Sequence, residues 1–248
     1  MATTLACQLF SLRQFEGGWH PAFAAVKALG IDTIEVWCGA VPSDPNASMS
    51  MTDMRAALTD AGMKLTCGHI TMDEFDNRYE EWKNLLLEFG SRDWVIPFAK
   101  ADSLEGWLNL LPKFRQMSAR LEQDGLALGY HNHHMELEKL GDRYIMEHLL
   151  DNMPALKAQF HIGQFLPKRG IVLADWLRKY AGRVCSLHLN DADENGPTPL
   201  GQGACRAEEA IKTALDTGVT TFIMEVHVVQ KTLDGVKRDV EFARKLIG

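Results

Sequence analysis

The sequence predicts a (β/α)₈ barrel, and three observations carry that expectation. Eight apolar runs of strand length recur along the chain, each followed by a longer segment with helical periodicity. Such alternation implies a parallel sheet, because parallel neighbours need crossover connections. The 248 residues match the ~250 typical of that barrel. No low-complexity linker or compositional break divides the chain, so residues 1–248 are expected to form one barrel domain. An open doubly wound sheet would also alternate, but no Gly-x-Gly-x-x-Gly follows the first run to mark a dinucleotide crevice.

The strands are expected at Leu5–Phe10, Thr33–Trp37, Lys64–Gly68, Trp94–Phe98, Ala127–His131, Ala158–Ile162, Val184–Leu189 and Thr221–Val226. Between the first two, Pro21, Phe23, Ala24, Val26 and Leu29 fall at helical spacing and Gly30 follows as a stop. Met51–Leu58 repeats that form ahead of Gly62. Further helices are expected at Tyr79–Phe89, Leu104–Glu122, Tyr144–Leu150, Ala174–Tyr180, Ala207–Leu215 and Gly235–Leu246, three of them ending near Gly90, Gly125 and Gly182.

Composition bounds the function classes. With 46% hydrophobic and 24% charged residues the chain can bury a core and solvate its surface. A net charge of −7 supplies no basic footprint for phosphate backbones, so nucleic acid is not an expected partner. The N-terminal residues lack the basic start and apolar core of a signal peptide, and no apolar stretch approaches ~18 residues, so a cytoplasmic protein without membrane attachment is expected. The five cysteines are widely spaced without a Cys-x-x-Cys pair, which points to reduced thiols within apolar runs and against a disulfide framework or zinc ribbon.

The working residues of such a barrel lie at the C-terminal ends of its strands. Of the nine histidines, His69, His131, His133, His134, His161, His188 and His227 fall at or just past an expected strand end. In Tyr130-His131-Asn132-His133-His134-Met135-Glu136, alternation puts His131 and His133 on one face, with Glu136 following in the loop. Each is either a ligand to something in the mouth or a hydrogen-bonded loop group. Glu225 is embedded in the apolar run Phe222-Ile223-Met224-Glu225-Val226, where an unpaired charge would cost several kcal/mol. A divalent cation shared with His188 satisfies it, as would an arginine. His69 and Glu35 are strand-end groups that either bind substrate or face the helices, and Gly201-Gln202-Gly203 reads as a tight loop after the seventh strand.

These residues resemble the xylose-isomerase-like barrels, a family that includes sugar and sugar-phosphate isomerases and epimerases and the endonuclease IV group. Gln8-Leu9-Phe10-Ser11-Leu12 is similar to the family's first strand, and Tyr130-His131-Asn132-His133 with Glu136 to a signature of one sugar-isomerase-like branch. Gly182-Arg183 with His188-Leu189-Asn190-Asp191 resembles the Gly-Arg…His-x-Lys-Asp segment, and Pro199-Leu200-Gly201-Gln202-Gly203 and Met224-Glu225 the last two motifs. Family metal sites take a Glu, an Asp, a His and a Glu from strands five to eight. His188 and Glu225 match the last two positions, whereas His131, with Glu136 as a nearby carboxylate, falls at the first, and His161 stands where Asp is usual.

The resemblance therefore implies a metal held by His131, His161, His188 and Glu225, and the nitrogen-rich set favours Mn²⁺, Fe²⁺, Co²⁺ or Zn²⁺ over Mg²⁺ or Ca²⁺. It implies an isomerase or epimerase of a small sugar, keto-sugar or polyol, with Glu225 and either Glu136 or His131 moving the proton. Substrate contacts are expected from His69, His133, Glu35, Asp191 and Arg206. A lyase or dehydratase could use the same site, and a binding subunit with a degenerate site is the non-catalytic alternative. Either reading is compatible with a homo-oligomer. The acidic charge and mononuclear ligand set speak against an endonuclease.

Overall fold

The computed structural model describes residues 2–40, 49–226 and 233–248. Eight parallel strands close into a barrel: β1 (Thr4–Gln8), β2 (Thr33–Trp37), β3 (Lys64–His69), β4 (Asp93–Ile96), β5 (Ala127–His131), β6 (Lys157–His161), β7 (Val184–Leu189) and β8 (Thr221–Met224). Each pairs with its chain neighbours, and β8 closes on β1 through Ala6 opposite Ile223. Every strand lies within two residues of its expected start, and the differences fall at the ends, where the chain turns into loops.

The outer layer is helical: α1 (Trp19–Ala28), α2 (Met51–Asp60), α3 (Met72–Glu88), α4 (Leu104–Leu108), α5 (Leu111–Gln123), α6 (Ile145–Asn152), α7 (Leu173–Lys179), α8 (Ala207–Asp216) and α9 (Asp234–Ile247). Ser50 caps α2 reciprocally with Asp53, satisfying donors that the first turn leaves open. Two helices depart from the sequence reading. The single helix expected over Leu104–Glu122 is two, because the turn at Asn109–Leu110 ends α4 and Pro112 begins α5, where a missing N–H costs nothing. Conversely, α3 starts at Met72 under a Thr71 cap and runs through a non-helical Arg78, so the periodic stretch at Tyr79–Phe89 is only its second half. Two short hairpins were not anticipated, Lys139–Leu140 with Arg143–Tyr144 and Asp191–Asp193 with Gly196–Thr198.

The main apolar core lies between strands and helices, with Trp82, Trp94, Trp107, Phe114 and Phe160 fully buried there. Inside the barrel the period of two sorts residues by height. Ala6, Cys67, Val95 and Ile223 form a small apolar layer. Two residues further along their strands come Gln8, His69 and Glu225, joined by His131, His161 and His188 on β5, β6 and β7, all buried. The barrel thus fills its upper interior with polar groups, which must satisfy one another. All five cysteines are free thiols, and no helix among the described residues is long and apolar enough to cross a membrane.

Candidate metal centre

Strand alternation aims His131, His161 and His188 inward from the ends of β5, β6 and β7, and Glu225 follows directly on β8, its N–H bonded to the Leu189 carbonyl. One ligand atom from each of the four lies within 4.8 Å of the others. His131 Nε2 is 3.0 Å from His161 Nδ1. Glu225 Oε2 is 2.9 Å from His188 Nδ1 and 3.4 Å from His161 Nδ1. Donors about 2.0–2.1 Å from a tetrahedral ion stand roughly 3.4 Å apart, so these separations suit a common cation.

A second layer holds the imidazoles. The Gln159 side-chain oxygen meets His131 Nδ1 at 2.8 Å and His69 Nε2 at 2.5 Å. Its amide nitrogen donates to Glu35 Oε1 at 2.7 Å and to Ser186 Oγ at 2.8 Å. Glu35, fully buried, also receives the Gln8 amide and the Cys67 thiol, and its Oε2 lies 2.8 Å from His188 Nε2. His69 stacks on His188 with centroids 5.1 Å apart. An outer acceptor on His131 and an outer carboxylate on His188 are the supports that metal-binding histidines use to aim the inner nitrogen. These observations fit a divalent ion. Glu35, His69 and His188 form a second converging triad. Glu35's other hydrogen bonds, and the shared His188, mark that triad as support for the first.

Electrostatics follow from burial among two carboxylates. Burial works against the charged form of His188, but Glu35 and Glu225 outweigh it and hold the imidazolium up to about 10. Burial likewise pushes Glu35 up, and His188 and His69 more than reverse it, leaving its carboxyl below the usual range. Burial and then the neighbouring imidazoles push His131 well down, which keeps it neutral, as a ligand must be.

The other expected site residues divide. His133 stands at the rim with its ring 5.0 Å from that of His131. Glu35 and His69 sit beneath the centre as support rather than in the mouth. Glu136 does not reach the mouth at all: its Oε1 accepts from Tyr130 at 2.6 Å and its Oε2 from the His133 N–H at 2.8 Å. Tyr130 points outward into the helical layer against Phe114, and Glu136 follows it there. Asp191 is spent on the loop after β7, accepting from the backbone N–H groups of Ala192, Gly201, Gly203 and Cys205. A Cβ on Gly203 would lie 2.3 Å from the Asp191 carboxylate, which explains the glycine. Arg206, largely exposed, pairs with Glu209 across the first turn of α8, away from the histidines. His227 lies outside the described residues.

Sequence reasoning missed Gln159, Ser186 and Asn190. The first two sit two residues before His161 and His188, so the period that located the ligands also marks their support. A cavity of about 280 Å³ adjoins Glu225 and is lined with Asn190, Asp191, Thr198, Arg238 and Asp239 among others. A larger cleft of about 560 Å³ opens on the opposite face, by Asp32, Lys64 and Arg244, and contains none of the converging groups.

No family model and no curated protein matches the chain by sequence. Solved structures do match. A sugar phosphate isomerase/epimerase from Parabacteroides distasonis superimposes with a TM-score of 0.78 at 17% identity, over 98% of this chain and 96% of that one. The chain shares the barrel fold of these proteins. A protein from Bacillus anthracis described as a probable 3-DHS dehydratase of petrobactin synthesis gives 0.76 at 13% identity, over 97% and 98% of the two chains. A xylose isomerase-like barrel protein from Mycobacterium smegmatis, solved in complex with magnesium, gives 0.70 at 15% identity, over 99% and 96%. In this barrel the four converging groups stand at the strand ends where (β/α)₈ barrels carry their chemistry.

Proposed function

We propose that the protein is a metal-dependent isomerase or epimerase of a small sugar, keto-sugar or polyol derivative. The observation that carries this reading is the meeting of three imidazoles and one carboxylate from four separate strands, two of the imidazoles being aimed by outer acceptors. His131, His188 and Glu225 would hold the ion, with His161 closing the ring beside them. The nitrogen-rich set favours Mn²⁺, Fe²⁺, Co²⁺ or Zn²⁺ over Mg²⁺. When bound, the ion supplies Lewis-acid polarisation of a carbonyl and its neighbouring hydroxyl.

The chain's own residues supply the rest. Glu35 and Gln159 orient the rings of His188 and His131, fixing which nitrogen faces inward. Glu225, held by His188, is the carboxylate in position to take a proton from carbon next to the carbonyl. The cavity beside it, about 280 Å³ and lined by Asn190, Asp191, Thr198 and Arg238 together with apolar groups, is where a small carbohydrate would sit.

A dehydratase is the second reading, and the position of Glu136 favours it. Two-base epimerisation needs proton-transfer groups on opposite faces of one carbon, whereas a syn elimination of a β-hydroxyl can be served by a base and an acid on one face. With Glu136 turned outward and Glu35 beneath the centre as support, Glu225 is the carboxylate of the four converging groups. Likeness to a barrel described as a probable dehydratase agrees with this alternative.

Metal analysis of the purified protein, followed by a keto-sugar panel in deuterated water, tests both. Stoichiometric metal and deuterium uptake next to the carbonyl are expected; retained water identifies the isomerase or epimerase, and lost water the dehydratase. A protein that takes up no divalent metal and exchanges no proton would overturn the proposal.

A further inference from the structure

His161 stands where the resembling family carries an aspartate, and its hydrogen bonds say which of its nitrogens bears the proton. The side-chain oxygen of Asn190 accepts from the Gly163 N–H at 2.7 Å. The Asn190 amide nitrogen is thereby turned towards His161 Nε2, with which it is in contact. An amide nitrogen only donates, so Nε2 must offer its lone pair. A neutral imidazole with an acceptor at Nε2 carries its hydrogen at Nδ1, and Nδ1 faces His131 Nε2 at 3.0 Å and Glu225 Oε2 at 3.4 Å.

The neighbours agree with that assignment. His131 presents Nδ1 to the Gln159 side-chain oxygen, an acceptor, so its Nε2 carries the lone pair that meets the His161 N–H. The alternative, a lone pair at His161 Nδ1, needs the Asn190 amide reversed, and its NH₂ would then confront the Gly163 N–H, donor against donor. Close approach at Gly163 keeps the amide seated: a Cβ there would lie 3.0 Å from the Asn190 oxygen.

We infer that Asn190 holds His161 as a hydrogen-bond donor aimed into the centre, so that the ion is held by three protein groups, His131, His188 and Glu225, and His161 is not a ligand. This rests on the metal reading above and changes what it implies. Coordination requires a lone pair: His188 can give up its inner proton and keep the outer one towards Glu35, whereas His161 could free Nδ1 only by placing a hydrogen at Nε2, against the donating Asn190 amide. A centre with three protein ligands keeps an open position. The His161 N–H then serves as a donor beside the ion for a carbonyl or hydroxyl oxygen of the substrate.

Long-range ¹H–¹⁵N spectra of the metal-free protein read the tautomer without any mutation. A protonated Nδ1 with an unprotonated Nε2 at His161 is expected, and a protonated Nε2 would overturn the inference. Co²⁺ titration read by visible absorption and calorimetry supplies the second arm. His161→Ala should change Co²⁺ affinity by less than about threefold, whereas loss of even an outer-layer partner of a true ligand costs roughly 10–100-fold. In Asn190→Asp a carboxylate oxygen can accept from Nε2–H, the tautomer reverses, His161 becomes a ligand, and Co²⁺ affinity should rise at least about tenfold with a changed absorption band. A loss of more than tenfold in His161→Ala would overturn the inference and leave the metal reading standing. Wild-type protein that binds no Co²⁺ would overturn the metal reading itself and, with it, the open position.

Discussion

Glu225, directly after β8, and Glu136, in the loop after β5, are both buried carboxylates at the same end of the barrel, yet only Glu225 faces the histidines. The difference begins with their local constraints. Glu225 continues an extended strand, its N–H still bonded to β7, so alternation from Ile223 directs its side chain inward. Glu136 lies in a 3₁₀ turn over Met135–Leu137, where no strand period applies. Its direction is set by the nearest donors, the Tyr130 hydroxyl and the His133 N–H. A buried carboxylate goes where its charge is compensated, and in a loop the first adequate donors decide the matter.

The comparison can be broken most directly by the same conservative change at each site. Glu225→Gln should abolish both metal uptake and solvent proton exchange while leaving the circular dichroism spectrum unchanged, because an amide of the same shape neither binds the ion strongly nor acts as a base. Glu136→Gln should keep metal affinity within about threefold of wild type and instead lower stability by roughly 1–3 kcal/mol, since an amide cannot accept fully from both of its present donors. Calorimetric metal titration and denaturant melts separate the two. Equal loss of metal in both variants would show that Glu136 belongs to the centre.

The two regions should also differ in pH response once the protein is stripped with chelator. His188 is raised from its ordinary 6.5 to about 10 by Glu35 and Glu225, so its pairing stabilises the fold fully below about 6.5 and is lost progressively as pH rises towards 10. Burial raises Glu136 above its usual range in spite of its two donors, so stability there falls as pH rises through the acid range. Melts of chelator-treated protein should therefore weaken between about pH 6.5 and 10, and Glu225→Gln should flatten that part of the profile. A profile that stays level there in the wild-type protein would remove His188 as the imidazolium between two carboxylates.

The smallest effect is expected at Arg206, a substrate contact by sequence but an exposed partner of Glu209 in the structure. Arg206→Ala should alter stability by less than about 1 kcal/mol, as surface pairs generally do, and leave metal binding and proton exchange unchanged. A marked rise in KM for an accepted keto-sugar would return it to the site.

Much of this molecule was legible in its sequence because strands keep local books. A period of two within each apolar run placed the strand-end histidines and Glu225 at the end of the barrel, and the family resemblance, rather than the period, singled out His131, His161, His188 and Glu225 as one set. Outside the strands that logic stops. Asp191 and Arg206 occupy loop and cap positions: Asp191 lines the cavity beside Glu225 but spends its carboxylate on the backbone of its own loop, and Arg206 pairs with Glu209. The break between α4 and α5 and the early start of α3 depend on a turn and a cap whose signals are weaker than the periodicity on either side of them.

By itself, then, the sequence determined the eight strands, their closure and the histidines and Glu225 at their ends, because hydrophobic periodicity is written one residue at a time. Only the tertiary structure decided what those residues do to one another. Gln159 and Glu35 aim His131 and His188 from other strands, and Asn190 turns His161 from beyond the end of β7. Glu136 is claimed by a tyrosine on the outer side of the strand before its loop. Hydrogen-bond direction is a property of pairs, and partners such as Gln159 and Glu35 lie 124 residues apart in the chain, so no local pattern can specify which nitrogen carries a proton or which carboxylate meets the ion.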